Sequence, residues 1–127
     1  MAQIGYIMRV RPGRFLKWLF PNVIWSVDDK EGLYLTFDDG PTPGVTEWLL
    51  QTLDKYDAKA TFFVLGKNVE LYPDLYQLIL DKGHKIGNHT YSHQKGWEQS
   101  LERYIEDVDL AGDMLHTDLF RPPYARV

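Results

Sequence analysis

Two adjacent acids, Asp38 and Asp39, follow an apolar run in the segment Leu-Thr-Phe-Asp-Asp-Gly-Pro-Thr-Pro at residues 35–43. Successive side chains of an extended segment point to opposite sides, so Asp39 could bind a metal ion while Asp38 faces a water molecule as a general base. Gly40 would permit the sharp turn that follows. Asp-Gly-Pro is also ordinary turn chemistry, and this segment alone leaves both interpretations open.

Two histidines, His89 and His93, are four residues apart, so one helical turn or a tight loop could direct both imidazoles at one ion. The spacing alone is a weak signal, because such pairs occur on many protein surfaces. Together with Asp39 they make two imidazoles and one carboxylate, a ligand set that leaves coordination positions open for water and substrate. Iron oxygenases use the same set, but that interpretation leaves Asp38 and Arg121 without a role.

A third polar cluster is Arg-Pro-Pro-Tyr at residues 121–124. Its two prolines lack backbone donors and stiffen the segment, so the first free N–H after Arg121 belongs to Tyr124. That amide could donate to a developing oxyanion, and the guanidinium of Arg121 could hold Asp38 in place. Without the other two clusters, a merely stiff loop would be the better interpretation.

Alternating strand and helix signals must position these clusters. Short apolar runs predict strands, and apolar residues at helical spacing predict helices. The predicted elements are strands at 33–37, 58–65, 84–88 and 118–120 and helices at 46–56 with a threonine cap, 73–83 and 100–115, capped by Ser100. This β-α-β-α-β-α-β order predicts an α/β fold whose parallel strands are joined by right-handed crossovers, as in a (β/α) barrel or an open doubly wound sheet.

Parallel strands open their carboxyl ends on one face, where α/β enzymes place their chemistry. The acid pair, the histidine pair and the arginine cluster follow the first, third and fourth predicted strands. We therefore expect them to converge at one rim. His84, which begins the third strand, and His116, which ends the last helix, are expected at the opposite end, away from the site.

Composition limits the remaining possibilities. A chain of 127 residues with 44% hydrophobic content can bury the core of one globular domain. Its net charge of −4 makes nucleic acid an unsuitable partner for the surface as a whole. No cysteine is present, which excludes thiolate metal sites and thiol nucleophiles. A bound metal must use histidines and carboxylates.

The first 27 residues are basic, because four arginines and lysines precede the first acid, Asp28. We expect residues 1–30 to form an N-terminal extension that packs on a domain formed by residues 31–127. The apolar patch at 15–20 is too short to span a bilayer, and no signal-peptide cleavage pattern follows it. Contact of this basic segment with a membrane surface is the alternative. The localisation stays open between the cytoplasm and the periphery of the bacterial envelope.

Three motifs in chain order are Thr-Phe-Asp-Asp-Gly-Pro at 36–41, His-Thr-Tyr-Ser-His at 89–93 and Arg-Pro-Pro-Tyr at 121–124, with Ala-Thr-Phe-Phe at 60–63 between the first two. In these residues the chain resembles the polysaccharide deacetylases, the family of chitooligosaccharide and peptidoglycan N-deacetylases. The resemblance covers about residues 31–127. Its joint specificity is high, because the three motifs rarely coincide in this order.

The resemblance implies a metal-dependent hydrolase that removes N-acetyl groups from amino-sugar polysaccharides. The implied cofactor is a divalent metal ion, with zinc the expected one, and the implied partner is an N-acetylated glycan. Carried over by motif, the site residues are Asp38, Arg121 and Tyr124 for catalysis and Asp39, His89 and His93 for the ion. The Arg-Pro-Pro-Tyr segment implies one wall of the substrate groove, which adds Pro122 and Pro123. Trp97 and Tyr91 flank the histidines and could stack on a sugar ring, although core packing would explain each equally well.

The sequence departs from the family pattern after the third motif. Members normally continue with further strands, an Asp-Trp motif that steadies the arginine, and a Leu-x-x-His motif whose histidine is the general acid. Four strands are too few to close the distorted (β/α) barrel of the family, so we expect the N-terminal part of such a barrel, with an open strand edge that could pair with a second copy. We expect low or absent turnover for residues 1–127 alone. The alternative function is a non-catalytic carbohydrate- or metal-binding remnant of such an enzyme.

Overall fold

The computed structural model describes residues 14–19, 21 and 32–125. The chain divides into two compact units, Met1–Gly32 and Leu33–Val127. The described part of the first unit is essentially the helix α1, Arg14–Leu19, which overlaps the apolar patch of the sequence at residues 15–19. The predicted packing of residues 1–30 on the domain lies outside the described residues and stays a prediction. None of the helices in the described ranges is both long enough and apolar enough to cross a membrane.

The second unit is built on a parallel sheet of three strands, β1 (Leu35–Asp38), β2 (Ala60–Val64) and β3 (Lys85–Asn88), in the order β1-β2-β3. In its register Phe37 lies beside Phe62, and Phe62 beside Ile86. The predicted α/β class with parallel strands is confirmed. Within the described residues β1 is an edge strand, so self-association through this edge stays a prediction.

Four helices connect and flank the strands: α2 (Val45–Lys55), α3 (Gly66–Leu71), α4 (Pro73–Asp81) and α5 (Leu101–Leu115). Ser100 caps α5 as predicted, since its hydroxyl accepts from the Arg103 amide. α3 is not predicted from the sequence, because the predicted strand ends at residue 65 and the next predicted helix begins only at residue 73. The first amides of this helix, those of Gly66 and Lys67, donate to the carbonyls of Thr90 and Tyr91 in the loop after β3.

Two predicted details are wrong. Gly44, not a threonine, is the N-cap residue of α2, and its amide donates to the Glu47 carboxylate at 2.6 Å. The predicted fourth strand at 118–120 is only an isolated parallel bridge between Asn88 and Phe120. Its ladder cannot continue, because the prolines at 122 and 123 have no N–H to donate.

The core lies on both faces of β2, as expected for a central parallel strand. Its members are apolar side chains of β2 and β3 and of the helices α2, α3, α4 and α5 that pack against them. The fully buried ones include Leu50, Val64, Ile79 and Ala111. This core fixes the strand directions, and therefore fixes the rim at which the strands end.

Gly87 in β3 makes room for an aromatic ring of β2. A Cβ atom at this position would lie 2.4 Å from Cδ1 of Phe63, so the ring would have to move. We expect Gly87→Ala to lower the free energy of unfolding by about 1–3 kcal/mol, the usual range for overpacking. Urea unfolding followed by circular dichroism measures this change.

Gly112 provides the matched control within α5. Its added Cβ would lie 3.6 Å from Nδ2 of Asn88, an ordinary contact. Gly112→Ala should raise the free energy of unfolding by up to about 1 kcal/mol, because alanine is the better helix former. Equal stability of Gly87→Ala and the native protein would show that the Phe63 ring is not confined.

His84 should make the stability depend on pH. It is buried, and its Nδ1 accepts a hydrogen bond from the Ala60 amide at 3.3 Å. Burial lowers its pKa, and the Lys59 charge acts in the same direction. In the unfolded chain His84 binds a proton near pH 6.5, whereas in the folded chain it does so only at lower pH. The stability that neutral His84 contributes is therefore fully present above about pH 6.5 and is lost as the pH falls.

We therefore expect the native protein to lose more stability between pH 7.5 and pH 5.5 than His84→Asn does, since the asparagine keeps an acceptor but does not titrate. His116→Asn is the control, because His116 is exposed and has a φ of 48°, which asparagine tolerates. Urea midpoints at both pH values in a chelating buffer make the comparison. An equal loss in all three proteins would exclude His84 as the source.

Candidate active site

Three side chains from distant segments meet at the carboxyl ends of the strands. Asp39, His89 and His93 each offer one ligand atom, and these atoms all lie within 4.8 Å of one another. Oδ1 of Asp39 lies 3.4 Å from Nε2 of His89 and 3.1 Å from Nε2 of His93. The structure thus brings together at one rim the acid and the two histidines that the sequence analysis selected as metal ligands.

Asp39 reaches this position by a route that differs from the predicted one. β1 ends at Asp38, and Asp39 has a φ of 71°, so the two acids are not successive residues of an extended strand. Gly40 was expected to provide the sharp turn, but the left-handed residue is Asp39. The Asp39 amide donates to the carbonyl of Phe63, and the Asp39 carbonyl accepts from Nδ2 of Asn68 at 2.8 Å. These two bonds hold the backbone of Asp39 from both sides.

His89 is held by the sheet and by the arginine cluster. It is buried, its amide donates to the carbonyl of Val64, and its Nδ1 lies 2.6 Å from the carbonyl oxygen of Arg121. A carbonyl only accepts, so Nδ1 carries a proton, and in the neutral imidazole with this tautomer Nε2 keeps its lone pair. This lone pair is available to a metal ion on the side of Asp39.

His93 is held by the loop that precedes it. It is half-buried, with a φ of 60°, and its amide donates to Oγ1 of Thr90 at 3.0 Å. Its ring makes edge contacts with the rings of His89 and Tyr124, at centroid distances of 5.2 and 5.0 Å. The second histidine therefore depends on local loop geometry more than the first.

Arg121 fixes the other acid of the pair. Its Nη1 donates to Oδ1 of Asp38 at 2.7 Å and to Oγ1 of Thr36 at 3.0 Å. The guanidinium lies over the ring of Phe63, 4.0 Å from its centroid. A charge-assisted hydrogen bond and a cation–π contact together determine the orientation of the arginine and hence of the carboxylate. The expected contact between Arg121 and Asp38 is present.

Backbone strain is concentrated at the same rim. Among the described residues, seven non-glycine positions have a positive φ, and five of them belong to the three clusters or their loops: Asp39, Thr90, His93, Tyr124 and Ala125. Such conformations cost about 1–3 kcal/mol each and persist where the surrounding contacts over-determine them. This concentration is typical of a pre-organised functional site.

The predicted groove residues divide into two groups. Trp97 and Tyr124 are exposed, and their rings meet edge to face at 5.6 Å beside His93. Pro122 is half-buried. The prediction for Pro123 is wrong, because its side chain is fully buried and offers no surface to a ligand.

Tyr91 has a packing role in this structure. A Cβ atom on Gly66 would come within 2.6 Å of its ring, which shows how closely the ring covers α3. Its hydroxyl donates to the Glu70 carboxylate at 2.8 Å. Of the two aromatic side chains proposed to stack on a sugar, Trp97 is the one whose ring lies beside the candidate site.

Several residues contribute to the candidate site without having been predicted, and only some of them left a signal in the sequence. A depression of about 340 Å³ beside the candidate metal ligands is lined by His93, Gln94, Lys95, Glu98, Gln99 and Tyr124. Its polar members follow the histidine motif directly and could have been found by proximity in the chain. Asn68 gave no such signal, and the Ala-Thr-Phe-Phe motif contains Phe63 without indicating its contact with Arg121, because both roles arise from contacts across the fold.

The two other histidines lie where the sequence placed them. His84 directly precedes β3, and His116 ends α5. Of the four histidines in the chain, the structure therefore brings only His89 and His93 to the rim.

Comparisons with known proteins all indicate the same family. A family model described as polysaccharide deacetylase matches residues 26–127. The chain is 37% identical over 99 residues to the peptidoglycan-N-acetylmuramic acid deacetylase PdaC of Bacillus subtilis, covering 73% of this chain and 21% of that protein. It is 40% identical over 108 residues to a peptidoglycan-N-acetylglucosamine deacetylase of Bacillus cereus, and the match covers 80% of this chain and 50% of that protein.

A solved structure agrees with these relatives. The chain matches the Bc1960 peptidoglycan N-acetylglucosamine deacetylase, crystallised in complex with 4-naphthalen-1-yl-N-oxidanyl-benzamide. The TM-score is 0.71 at 37% identity, and the match covers 74% of this chain and 47% of that one. The chain thus spans between about a fifth and a half of the length of these relatives. With the family model matching from residue 26 to residue 127 and the three motifs gathered at one rim, the chain belongs to the polysaccharide deacetylase family.

Proposed function

We propose that this chain carries the metal-binding and proton-accepting residues of a hydrolase that removes acetyl groups from N-acetylated amino-sugar polysaccharides, of the chitooligosaccharide or peptidoglycan type. The observation that carries the proposal is one local arrangement. Three ligand atoms lie within 4.8 Å of one another, and the neighbouring carboxylate of Asp38 is held by Arg121 at 2.7 Å.

The residues present fit a divalent metal ion, with zinc the expected one. Tetrahedral ligand atoms about 2.0–2.1 Å from zinc lie roughly 3.3 Å apart, and the distances from Asp39 to the two imidazoles are 3.4 and 3.1 Å. The bond between Nδ1 of His89 and the Arg121 carbonyl is the usual device that fixes a ligating imidazole. When bound, the ion would supply Lewis-acid activation of a carbonyl oxygen and of water.

Asp38 is proposed as the general base. Arg121 engages its Oδ1, which leaves Oδ2 to accept a proton from a water molecule that attacks the acetyl carbonyl. The charge-assisted hydrogen bond from Arg121 orients the carboxylate for this transfer. Proton acceptance thus belongs to one acid of the pair and metal binding to the other.

The amide of Tyr124 is proposed to stabilise the oxyanion of the tetrahedral intermediate. The Arg121 amide is already used, because it donates to the carbonyl of Asn88 at 3.0 Å. Two prolines follow, so the next N–H belongs to Tyr124, whose φ of 58° is held by the stiff segment. A donor fixed in advance stabilises developing charge without reorganisation.

The glycan is proposed to lie along the depression beside His93. Amide, carboxylate and ammonium groups line it, and these are suited to sugar hydroxyls. The exposed rings of Trp97 and Tyr124 provide apolar surface for a sugar face. The names of the relatives in Bacillus support peptidoglycan as the first substrate to try, and such a substrate would place the action at the cell envelope.

A non-catalytic binding remnant is the second candidate function. Within the described ranges, neither His84 nor His116 stands at the rim to protonate the leaving amine. Binding of zinc and glycan without any acetate release would support this candidate.

Two measurements test the proposal. The first is acetate release from oligomers of N-acetylglucosamine and from peptidoglycan fragments, both labelled in the acetyl group so that slow turnover is quantified. For residues 1–127 we expect low or absent release, and any release should be abolished by a chelator and restored by zinc. Vigorous zinc-dependent release would contradict the expected impairment but support the hydrolase.

The second measurement does not require turnover. The benzamide bound by the Bc1960 enzyme carries an N-hydroxy amide, a group that chelates metals, and we expect it to bind this chain only when zinc is present. Calorimetric titration with and without zinc checks this. A chain that binds neither zinc nor the benzamide would overturn both candidate functions.

A further inference from the structure

We propose that Asp107, in the middle of α5, is a positioning residue that holds the loop between the two candidate metal histidines and thereby sets the affinity for the ion. The inference rests on the proposed metal-binding role of His89 and His93. Asp107 lies fourteen residues beyond His93, on a different element, and belongs to none of the three motifs of the sequence analysis.

Asp107 makes three hydrogen bonds to two consecutive loop residues. Its Oδ1 accepts from the hydroxyl of Ser92 at 2.6 Å, and its Oδ2 accepts from the Ser92 amide at 3.1 Å. Its backbone carbonyl accepts from the Tyr91 amide at 3.0 Å. Hydrogen bonds to a carboxylate are among the stronger ones in proteins, and a two-oxygen contact also fixes direction.

The opposite side of the loop is held by α3. The amides of Gly66 and Lys67 donate to the carbonyls of Thr90 and Tyr91, both at 3.1 Å. These are among the amides of a helix that have no partner within the helix itself. The loop therefore lies between two anchors: α3 supplies donors to its carbonyls, and Asp107 supplies acceptors to its N–H groups.

The base of the loop has its own support. Oδ1 of Asn88 accepts from the Thr90 amide at 2.7 Å, and Nδ2 of Asn88 donates to the carbonyl of Val108 at 2.9 Å. His89 is fixed independently by the Val64 and Arg121 carbonyls. Loss of Asp107 should therefore leave the first histidine in place.

His93 has no comparable independent support from its backbone amide, because that amide bonds to Thr90 within the same loop. Thr90 and His93 have positive φ angles of 70° and 60°. Such conformations persist only when contacts with the surrounding structure hold them. The segment that joins them, Tyr91 and Ser92, is the part that Asp107 holds. Asp107 thus acts mainly on the second histidine, through the loop and not by contact with the ion.

The test measures zinc affinity, the absorption spectrum of the Co²⁺-loaded protein, and the melting temperature without metal, for Asp107→Ala, Asp107→Asn and Ser92→Ala. The matched control is Asp113→Ala, which removes an exposed acid from the same helix. For Asp107→Ala we expect zinc affinity to fall about 10–100-fold, the range found when a residue supporting a ligand is lost. Asp107→Asn, which keeps one acceptor oxygen, should lose less zinc affinity than Asp107→Ala. Asp113→Ala should bind zinc as the native protein does.

Two features separate positioning from a general loss of stability. The Co²⁺ spectrum of Asp107→Ala should change shape, because the loop no longer presents His93 in its native orientation. The double variant Asp107→Ala/Ser92→Ala should bind zinc no more weakly than Asp107→Ala alone, because the hydroxyl contact that Ser92→Ala removes is already lost in Asp107→Ala. If Asp107→Ala does not fold, Ser92→Ala removes only the hydroxyl contact and should still weaken zinc binding.

The outcomes are distinct. Native-like zinc affinity and Co²⁺ spectra in all variants, with only the melting temperature lowered, would overturn the role of Asp107 while leaving the metal site intact. A native protein that binds neither Zn²⁺ nor Co²⁺ would overturn the proposed function itself. Weakened binding with an altered spectrum, absent in Asp113→Ala, supports the inference.

Discussion

Replacement of Asp39 or His93 by alanine is expected to abolish stoichiometric zinc binding. Each removes one of three ligand atoms that lie within 4.8 Å of one another. Since loss of a residue that merely supports a ligand costs about 10–100-fold in metal affinity, loss of a ligand itself should cost more than about 100-fold. Metal content of the purified protein and calorimetric titration with zinc measure the effect.

Asp118→Ala and His116→Asn are the controls for these two variants, because both positions are exposed. They should bind zinc as the native protein does. Circular dichroism establishes that the alanine variants are folded, which is expected because Asp39 is exposed and His93 is only half-buried. Full zinc binding by a folded Asp39→Ala or His93→Ala protein would refute the metal site and, with it, the proposed reaction.

Asp38→Asn should separate catalysis from metal binding. Asparagine has the shape of the native side chain and can still accept the hydrogen bond from Arg121, but it cannot take a proton from water. Loss of a general base costs about 10²–10⁴-fold in rate. We expect zinc-dependent acetate release to fall by that factor while zinc affinity stays within about threefold of native, on the order of 0.6 kcal/mol.

Acetyl-labelled substrate at high protein concentration makes this loss measurable even when native turnover is slow. Thr36→Val tests a different contact of the same arginine, since it removes the Oγ1 atom to which Arg121 donates at 3.0 Å. Thr36→Val should lower acetate release much less than Asp38→Asn does, because Asp38 itself is retained. Loss of zinc from Asp38→Asn would show instead that Asp38 is a ligand, and unchanged acetate release would exclude it as the base.

Much of the fold and of the candidate site could be predicted, because the relevant signals are local. Apolar runs defined the three strands, and Ser100 defined the start of α5. Parallel strand direction then required the acid pair and the histidine pair to meet. Local signals were less informative where a residue has two uses, as with Gly66, which ends one element and begins another.

Other features could not be predicted, because they arise between residues far apart in the chain. The left-handed backbone of Asp39 is held by Phe63 and Asn68, and the burial of Pro123 follows from packing that no motif encodes. Asp107 has no local pattern that connects it to Ser92.

The sequence by itself determined which carboxylates and imidazoles exist, the order of the three strands and of the helices α2, α4 and α5, and the family motifs. Only the tertiary structure decided which atoms face one another, such as Arg121 and Asp38 across 83 residues, and which loop must be held from a neighbouring helix. The physical reason is that side-chain type and local periodicity act over a few residues, whereas ligand geometry depends on hydrogen bonds and packing that form only when distant segments are brought together.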